Sequence, residues 1–201
     1  MIIIEVIRSL YWRFYLHSRG ACVGKNLKVG GQFNILLRDG ATLRNLTIGD
    51  NVTFDGKTYI RIRKDGKINL SNGVRVGTEV WLVAANECEL TVGNNSILGS
   101  YSIFNGGHGL KIGANCIFAA FIYMNTSDHA YERDQLIQAQ GFVGSPIETG
   151  DDVWLGGFVF ISKGTKVGTG TVVGAGAVVT KDIPEYQIWA GNPAKMIGER
   201  S

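Results

Sequence analysis

The chain reads as an all-β protein, a parallel β-helix in which one chain winds into short, flat-sided coils. Three observations predict it. Thr149, Leu155, Ile161, Val167, Val173 and Val179 follow one another every six residues. A second small or β-branched residue follows each by four positions, at Val153, Val159, Thr165, Thr171, Ala177 and Ile183. Glycine makes up 28 of 201 residues, roughly twice its usual ~7% share. A six-residue period fits neither an amphipathic helix nor an alternating strand over this length. It fits a coil of three sides, each sending a residue inward. The corners call for positive φ, which glycine and asparagine adopt at little cost.

The first element, residues 1–20, stands outside this pattern. Residues 1–16 lack glycine and proline, and a helical projection divides them. Ile3, Val6, Ile7, Leu10, Tyr11, Phe14 and Tyr15 share one face, and Glu5, Arg8, Ser9 and Arg13 the other. The segment is too short and too charged to span a bilayer, and its layout is not that of a signal peptide. Two roles are open. The helix could cap the first coil, whose end is an unpaired edge. Alternatively, its aromatics, Trp12, Arg8, Arg13 and Arg19 could lay it on an anionic membrane surface.

The β-helix is expected over residues 21–184. Fainter copies of the period run through Val23, Val29 and Ile35, Ile48 and Phe54, and Val76 and Leu82. Clearer ones follow at Val92, Leu98 and Phe104 and at Ile112, Phe118 and Met124. Asp50-Asn51, Asn94-Asn95, Ala114-Asn115 and Asp151-Asp152 fall where corners belong. Residues 185–201 form a C-terminal extension.

Composition narrows the class. A formal charge of +3, spread along the chain, gives no footprint for nucleic acid. Cys22, Cys88 and Cys116 are scattered without metal-ligand spacing. Cys116 fills an inward slot and reads as a buried thiol, in keeping with a reducing cytoplasm.

The period breaks once, over residues 125–146, in a polar stretch. An excursion of this size from a solenoid points to a functional loop. His129 lies at its start, and histidine is the side chain suited to taking a proton from a hydroxyl near neutral pH. Asp128 could orient the imidazole or cap the loop. His108, in Asn105-Gly-Gly-His-Gly, could line the same cleft or sit in a surface turn; Asn125 and Tyr123 are further candidate acceptor contacts. A zinc site would need a third ligand, and His17 is too remote to supply it. No metal is expected.

Thr149-Gly-Asp-Asp-Val-Trp-Leu-Gly-Gly, Val173-Gly-Ala-Gly-Ala-Val-Val-Thr-Lys-Asp-Ile-Pro and Ala190-Gly-Asn-Pro-Ala-Lys closely resemble the hexapeptide-repeat acyltransferases. The C-terminal half is most similar to the sugar and xenobiotic O-acetyltransferases. Residues 147–197 match densely, and the first hundred match only in period. The resemblance implies a left-handed β-helix, a homotrimer with active sites between subunits, and acetyl-CoA as cosubstrate. It makes His129 the general base and the Gly157 amide the donor to the thioester oxygen. Trp154, Gly156 and Gly157, then Gly174, Ala175, Gly176 and Ala177, would line the pantetheine arm. Thr180 and Lys181, with Lys195, would lie near the nucleotide. Where the family's disaccharide enzymes carry a polar acceptor contact, this chain has Phe121. That departure, with the extra N-terminal coils, favours a cell-surface polysaccharide or its lipid-linked precursor as acceptor, at the cytoplasmic face of a membrane. An N-acyltransferase on an amino sugar nucleotide and a non-catalytic scaffold stay open as alternatives.

Overall fold

A computed structural model describes residues 2–201, and within it three parallel sheets form the sides of a solenoid of about seven turns. The first sheet runs from Cys22–Val23 to Lys166–Val167, the second from Lys28–Val29 to Val172–Val173, and the third from Phe33–Arg38 to Val178–Val179. Every hydrogen bond of the ladders therefore joins one coil to the next, and stability accumulates coil by coil.

The six-residue positions point inward. Leu155, Ile161, Val173 and Val179 are fully buried, and Val153, Val159, Thr165, Thr171, Ala177 and Ile183 are buried beside them. Cys116 is buried too, where desolvation pushes its thiol above the ordinary value. Asn51, Asn95, Asn115 and Asp152 turn corners at φ of 56° to 59°. On the corner between the first and second sheets, side chains also tie successive coils. Asn72 Oδ1 accepts from the Asp50 amide at 2.8 Å, and Asn94 Oδ1 from the Asn72 amide at 3.1 Å.

The fainter period upstream has a simple cause. Ile48, Leu70 and Val92 stack at intervals of 22 residues, whereas Thr149 and Val167 stack at 18. The early coils have longer third sides, such as Thr58–Arg63 and Val80–Ala84. Alternation of period 2 along those strands replaces the hexad.

The helix Ile2–Ser18 lies across the open end, but by an unexpected face. Leu16 is fully buried, and Trp12 packs edge-on against Phe33 at 4.9 Å. Ser9 Oγ accepts from the Val29 amide at 2.9 Å, and Arg8 donates to the Gly30 carbonyl. The open coil presents backbone polar groups that need partners, so Ser9 and Arg8 are drawn inward. Trp12 and Arg8 are thus committed to the cap, not to a membrane surface. Ile3, Ile7, Leu10 and Phe14 point the other way and are 62–76% exposed. Among the described residues no helix is long and apolar enough to cross a membrane.

At the far end, the antiparallel strands Gln187–Ala190 and Lys195–Glu199 extend the second sheet. Trp189 closes the last coil from this hairpin.

Candidate active site

The excursion at residues 125–146 is an ordered hairpin. Ser127–His129 pairs antiparallel with Phe142–Gly144, placing His129 opposite Phe142 with ring centroids 4.3 Å apart. Beyond the ribbon, Gln140 ties the tip by accepting from the Glu132 amide and donating to the Glu132 and Gln135 carbonyls. His129 is exposed at the mouth of the hairpin. Tyr131, Leu136, Phe142 and Val143 are exposed around it.

The base of the hairpin is tied down on three sides. Asp128 pairs with Lys163, from the corner of the next coil, so its carboxylate is turned to the solenoid. Asn125 accepts from Asn105 at 2.8 Å and donates to the Ser127 carbonyl at 2.6 Å. His108 places its backbone amide 3.1 Å from Thr126 Oγ1, while its buried Nδ1 has no hydrogen-bond partner. His108, Asn125, Asp128 and His129 therefore gather at the corner between the third and first sheets. Thr180 and Lys181 lie on that corner one coil above Lys163, with Lys181 Nζ 5.3 Å from the Trp189 ring.

The other named residues lie elsewhere. Trp154 projects from the second sheet, half exposed, in register with Ile117 and Val172. Gly156 and Gly157 turn the corner between the second and third sheets, with Gly174, Ala175, Gly176 and Ala177 stacked one coil above. The Gly157 carbonyl accepts from the Gly176 amide at 2.8 Å. A Cβ at Gly157 would meet only the Ala120 carbonyl, at 3.5 Å, and its amide donates to no backbone carbonyl among the described residues. Lys195 is exposed opposite Ala190, whose Cβ covers Gly174. Tyr123 points outward against Phe160.

The proposed base and the proposed oxyanion donor thus occupy opposite edges of the third sheet. From Gly157 to Lys163 the chain runs six residues around one side, on the order of 15–20 Å at ~3.3 Å per residue. Within one chain the two corners are a full side of the coil apart.

The corner below Gly157 is apolar in an ordered way. Tyr101, Phe121 and Phe158 stack on one another, with centroids 5.3 Å and 4.5 Å apart, each at positive φ. Ile97, Ile117 and Trp154 flank them on the second sheet, and Ile103 and Tyr123 on the third, all partly or largely exposed. Bulky residues at positive φ are rare and strained, and exposed apolar patches of this extent mark interfaces.

Lys163 and Phe142 carry no motif of their own. The repeat phase could have found Lys163, because it turns the same corner from which the hairpin departs.

Comparison with known proteins agrees with this architecture. The bacterial transferase hexapeptide (six repeats) profile matches residues 146–181. A Dictyostelium discoideum protein bearing an acetyltransferase name is 35% identical over 129 residues, covering 64% of this chain and 67% of that protein. One from Mycobacterium tuberculosis is 35% identical over 119 residues, 59% of this chain and 40% of its own length. Escherichia coli galactoside O-acetyltransferase is 31% identical over 91 residues, 45% of this chain and 44% of that enzyme. The chain thus spans less than half of the latter two. Among solved structures, a maltose O-acetyltransferase from Clostridium difficile superposes with a TM-score of 0.50 at 27% identity, covering 92% of this chain and 73% of that one. An N-acyltransferase from Bacillus cereus reaches 0.63 at 16% identity over 94% and 89%, a likeness of fold alone. The chain belongs to the hexapeptide-repeat acyltransferase family.

Proposed function

We propose that the protein is an acetyl-CoA-dependent O-acetyltransferase acting on a sugar hydroxyl, as a homotrimer with its sites between subunits. The observation that carries this reading is the placement of His129 and Gly157 on opposite edges of one sheet. A neighbouring copy that lays its own aromatic corner along this chain's third sheet would bring its glycine corner toward this chain's hairpin. The exposed column of Tyr101, Phe121 and Phe158 supports such an assembly.

In that groove His129 takes the proton of the acceptor hydroxyl as its oxygen attacks the thioester carbon. The developing oxyanion faces the open Gly157 amide of the adjoining subunit, an interaction stronger in the transition state than before it. When the carbon–sulfur bond breaks, the imidazolium returns its proton to the departing thiolate. Of the four small residues expected along the pantetheine arm, Ala175 and Gly176 are exposed and would carry it, whereas Ala177 faces the core and Gly174 is covered by Ala190. Lys181 or Lys195 would meet the nucleotide phosphates. Asp128 acts through Lys163 by fixing the hairpin and so is a positioning residue.

The names of the galactoside and maltose enzymes support sugar O-acetylation, and the Bacillus cereus structure, which holds coenzyme A, supports the cosubstrate. We take the acceptor to be a cell-surface polysaccharide or its lipid-linked precursor. The outward apolar face of the N-terminal helix supports peripheral membrane contact at the cytoplasmic side.

The test is acetyl-CoA turnover against a panel of envelope glycans, with products read by mass spectrometry. His129→Ala should lower kcat by about 10²–10⁴-fold, the usual worth of a placed base. A folded His129→Ala protein with near-normal turnover would remove the mechanism. An amide product would replace O-acetylation by N-acylation.

A further inference from the structure

A cavity of about 530 Å³ opens on the outer side of the third sheet between Arg38, Arg61, Arg63, Trp81 and Asn105, reaching Ile103 beside the aromatic corner. Its chemistry is unlike that of any site described above. Arg38 and Arg63 are register partners on adjacent strands, so two like charges stand directly opposite one another. Among the described residues none of the three arginines has a carboxylate within ion-pairing distance. With Asp39 in the lining, three guanidiniums and one carboxylate leave a net charge of +2. In the unliganded protein the pairing of Arg38 with Arg63 is a repulsion.

One of the cations, Arg61, is also held in place. Trp81 stacks face to face on Tyr59, 4.0 Å apart and 2° from parallel, and the Arg61 guanidinium lies over the indole at 4.3 Å. A guanidinium fixed in this way has lost less freedom to give up when it binds a planar or tetrahedral anion.

The cavity has a direction. Arg61, Val83, Asn105 and Asn125 are successive partners in the ladder. Asn105 lines the cavity and hydrogen-bonds Asn125, where the hairpin bearing His129 begins. From Arg61 to Asn125 is three strand spacings, about 14 Å. Toward the other end, Arg38 lies in the first strand above the N-terminal helix, the strand begun by Phe33 beneath Trp12.

We propose that Arg38, Arg61 and Arg63 hold the diphosphate of a glycosyl diphosphate acceptor whose sugars run along Trp81 and Asn105 to His129. The arm reaching His129 rests on the acetyl-transfer reading; the anion subsite does not. The charge of +2 matches a doubly esterified diphosphate, and three guanidiniums supply the forked donors that phosphate oxygens accept. Either a nucleotide or a membrane lipid could carry that diphosphate.

The experiment is calorimetric titration of inorganic pyrophosphate into the full-length protein, with and without saturating coenzyme A. Binding should persist in the presence of coenzyme A. Each arginine replaced by glutamine should weaken it about 10-fold, the worth of one charge-assisted hydrogen bond. Lys25→Gln, a charge change elsewhere on the surface, should leave it unaltered. Absence of binding to the wild-type protein, loss of binding under coenzyme A, or equal binding by all variants overturns the subsite. Uridine diphosphate and farnesyl diphosphate in phosphatidylcholine vesicles then compete for the bound pyrophosphate. Displacement by the first points to a nucleotide-linked acceptor and by the second to a lipid-linked one; displacement by neither overturns the assignment. If coenzyme A itself fails to bind, the acetyl-transfer reading falls while the pyrophosphate result stands.

Discussion

Gly144 lies flat on the imidazole of His108, so closely that a Cβ at the glycine would fall 2.1 Å from the ring. The hairpin's return strand is thereby seated on the same corner of the coil before it, and the height of His129 over the solenoid depends on that contact. Gly144→Ala must push the ribbon or the ring aside. Acetyl transfer should fall about 10–100-fold, because displacements near 1 Å in an active site cost that much. Steady-state kinetics with a thermal melt will show this, the melting temperature moving little. Wild-type turnover in this variant would mean that the seating of the hairpin is irrelevant.

The pair between Asp128 and Lys163 gives a second handle on the same ribbon. Both side chains are partly exposed, at 40% and 26%, so the pair adds no more than about 1 kcal/mol to global stability. Its expected role is local. Asp128→Asn and Lys163→Met should each speed amide exchange in residues 127–144 and lower kcat by similar factors, with the double variant no worse than either. An Asp128→Asn defect much larger than that of Lys163→Met would instead assign the carboxylate to the imidazole itself.

The aromatic corner predicts the assembly. Replacing Phe121 and Phe158 together with serine removes exposed rings whose loss costs the single chain little. Sedimentation should then report monomers, and turnover should drop to background because no neighbour presents Gly157. A fully active monomer would contradict a shared site.

The N-terminal helix has two faces that should separate by mutation. Leu16→Ala opens the cap and should destabilise the protein by about 2–5 kcal/mol, the range for a buried leucine. Ile7→Glu with Phe14→Glu should leave the melting temperature unchanged and abolish co-sedimentation with vesicles containing phosphatidylglycerol. Equal sedimentation of wild type and double variant would dismiss membrane contact.

The regular half of the molecule could be read from its residues because each inward slot there repeats every six positions. Leu155, Ile161 and Val173 point inward for the reason their spacing implies, and Asn95 and Asp152 turn the corners that small polar residues favour. The longer sides upstream hid the hexad, since Thr58–Arg63 reads as an ordinary alternating strand. The helix caps the first coil, one of the two roles its sequence leaves open, but the apolar stripe does not mark the docking face. An open coil demands hydrogen bonds as well as oily contact, and Ser9 and Arg8 meet that demand. His129 stood out through the broken period. Lys163 could be placed beside it from the repeat phase, but the seating of Gly144 on His108 depends on a close approach between coils that local sequence does not encode.

Because successive coils advance by one strand spacing without drift, the stack also measures length. The count of rungs between Arg61 and the hairpin fixes how long a molecule must be to touch both. Duplicating residues 67–88, one complete coil in register, would lengthen that gauge by about 4.8 Å and should shift the preferred acceptor toward a longer chain.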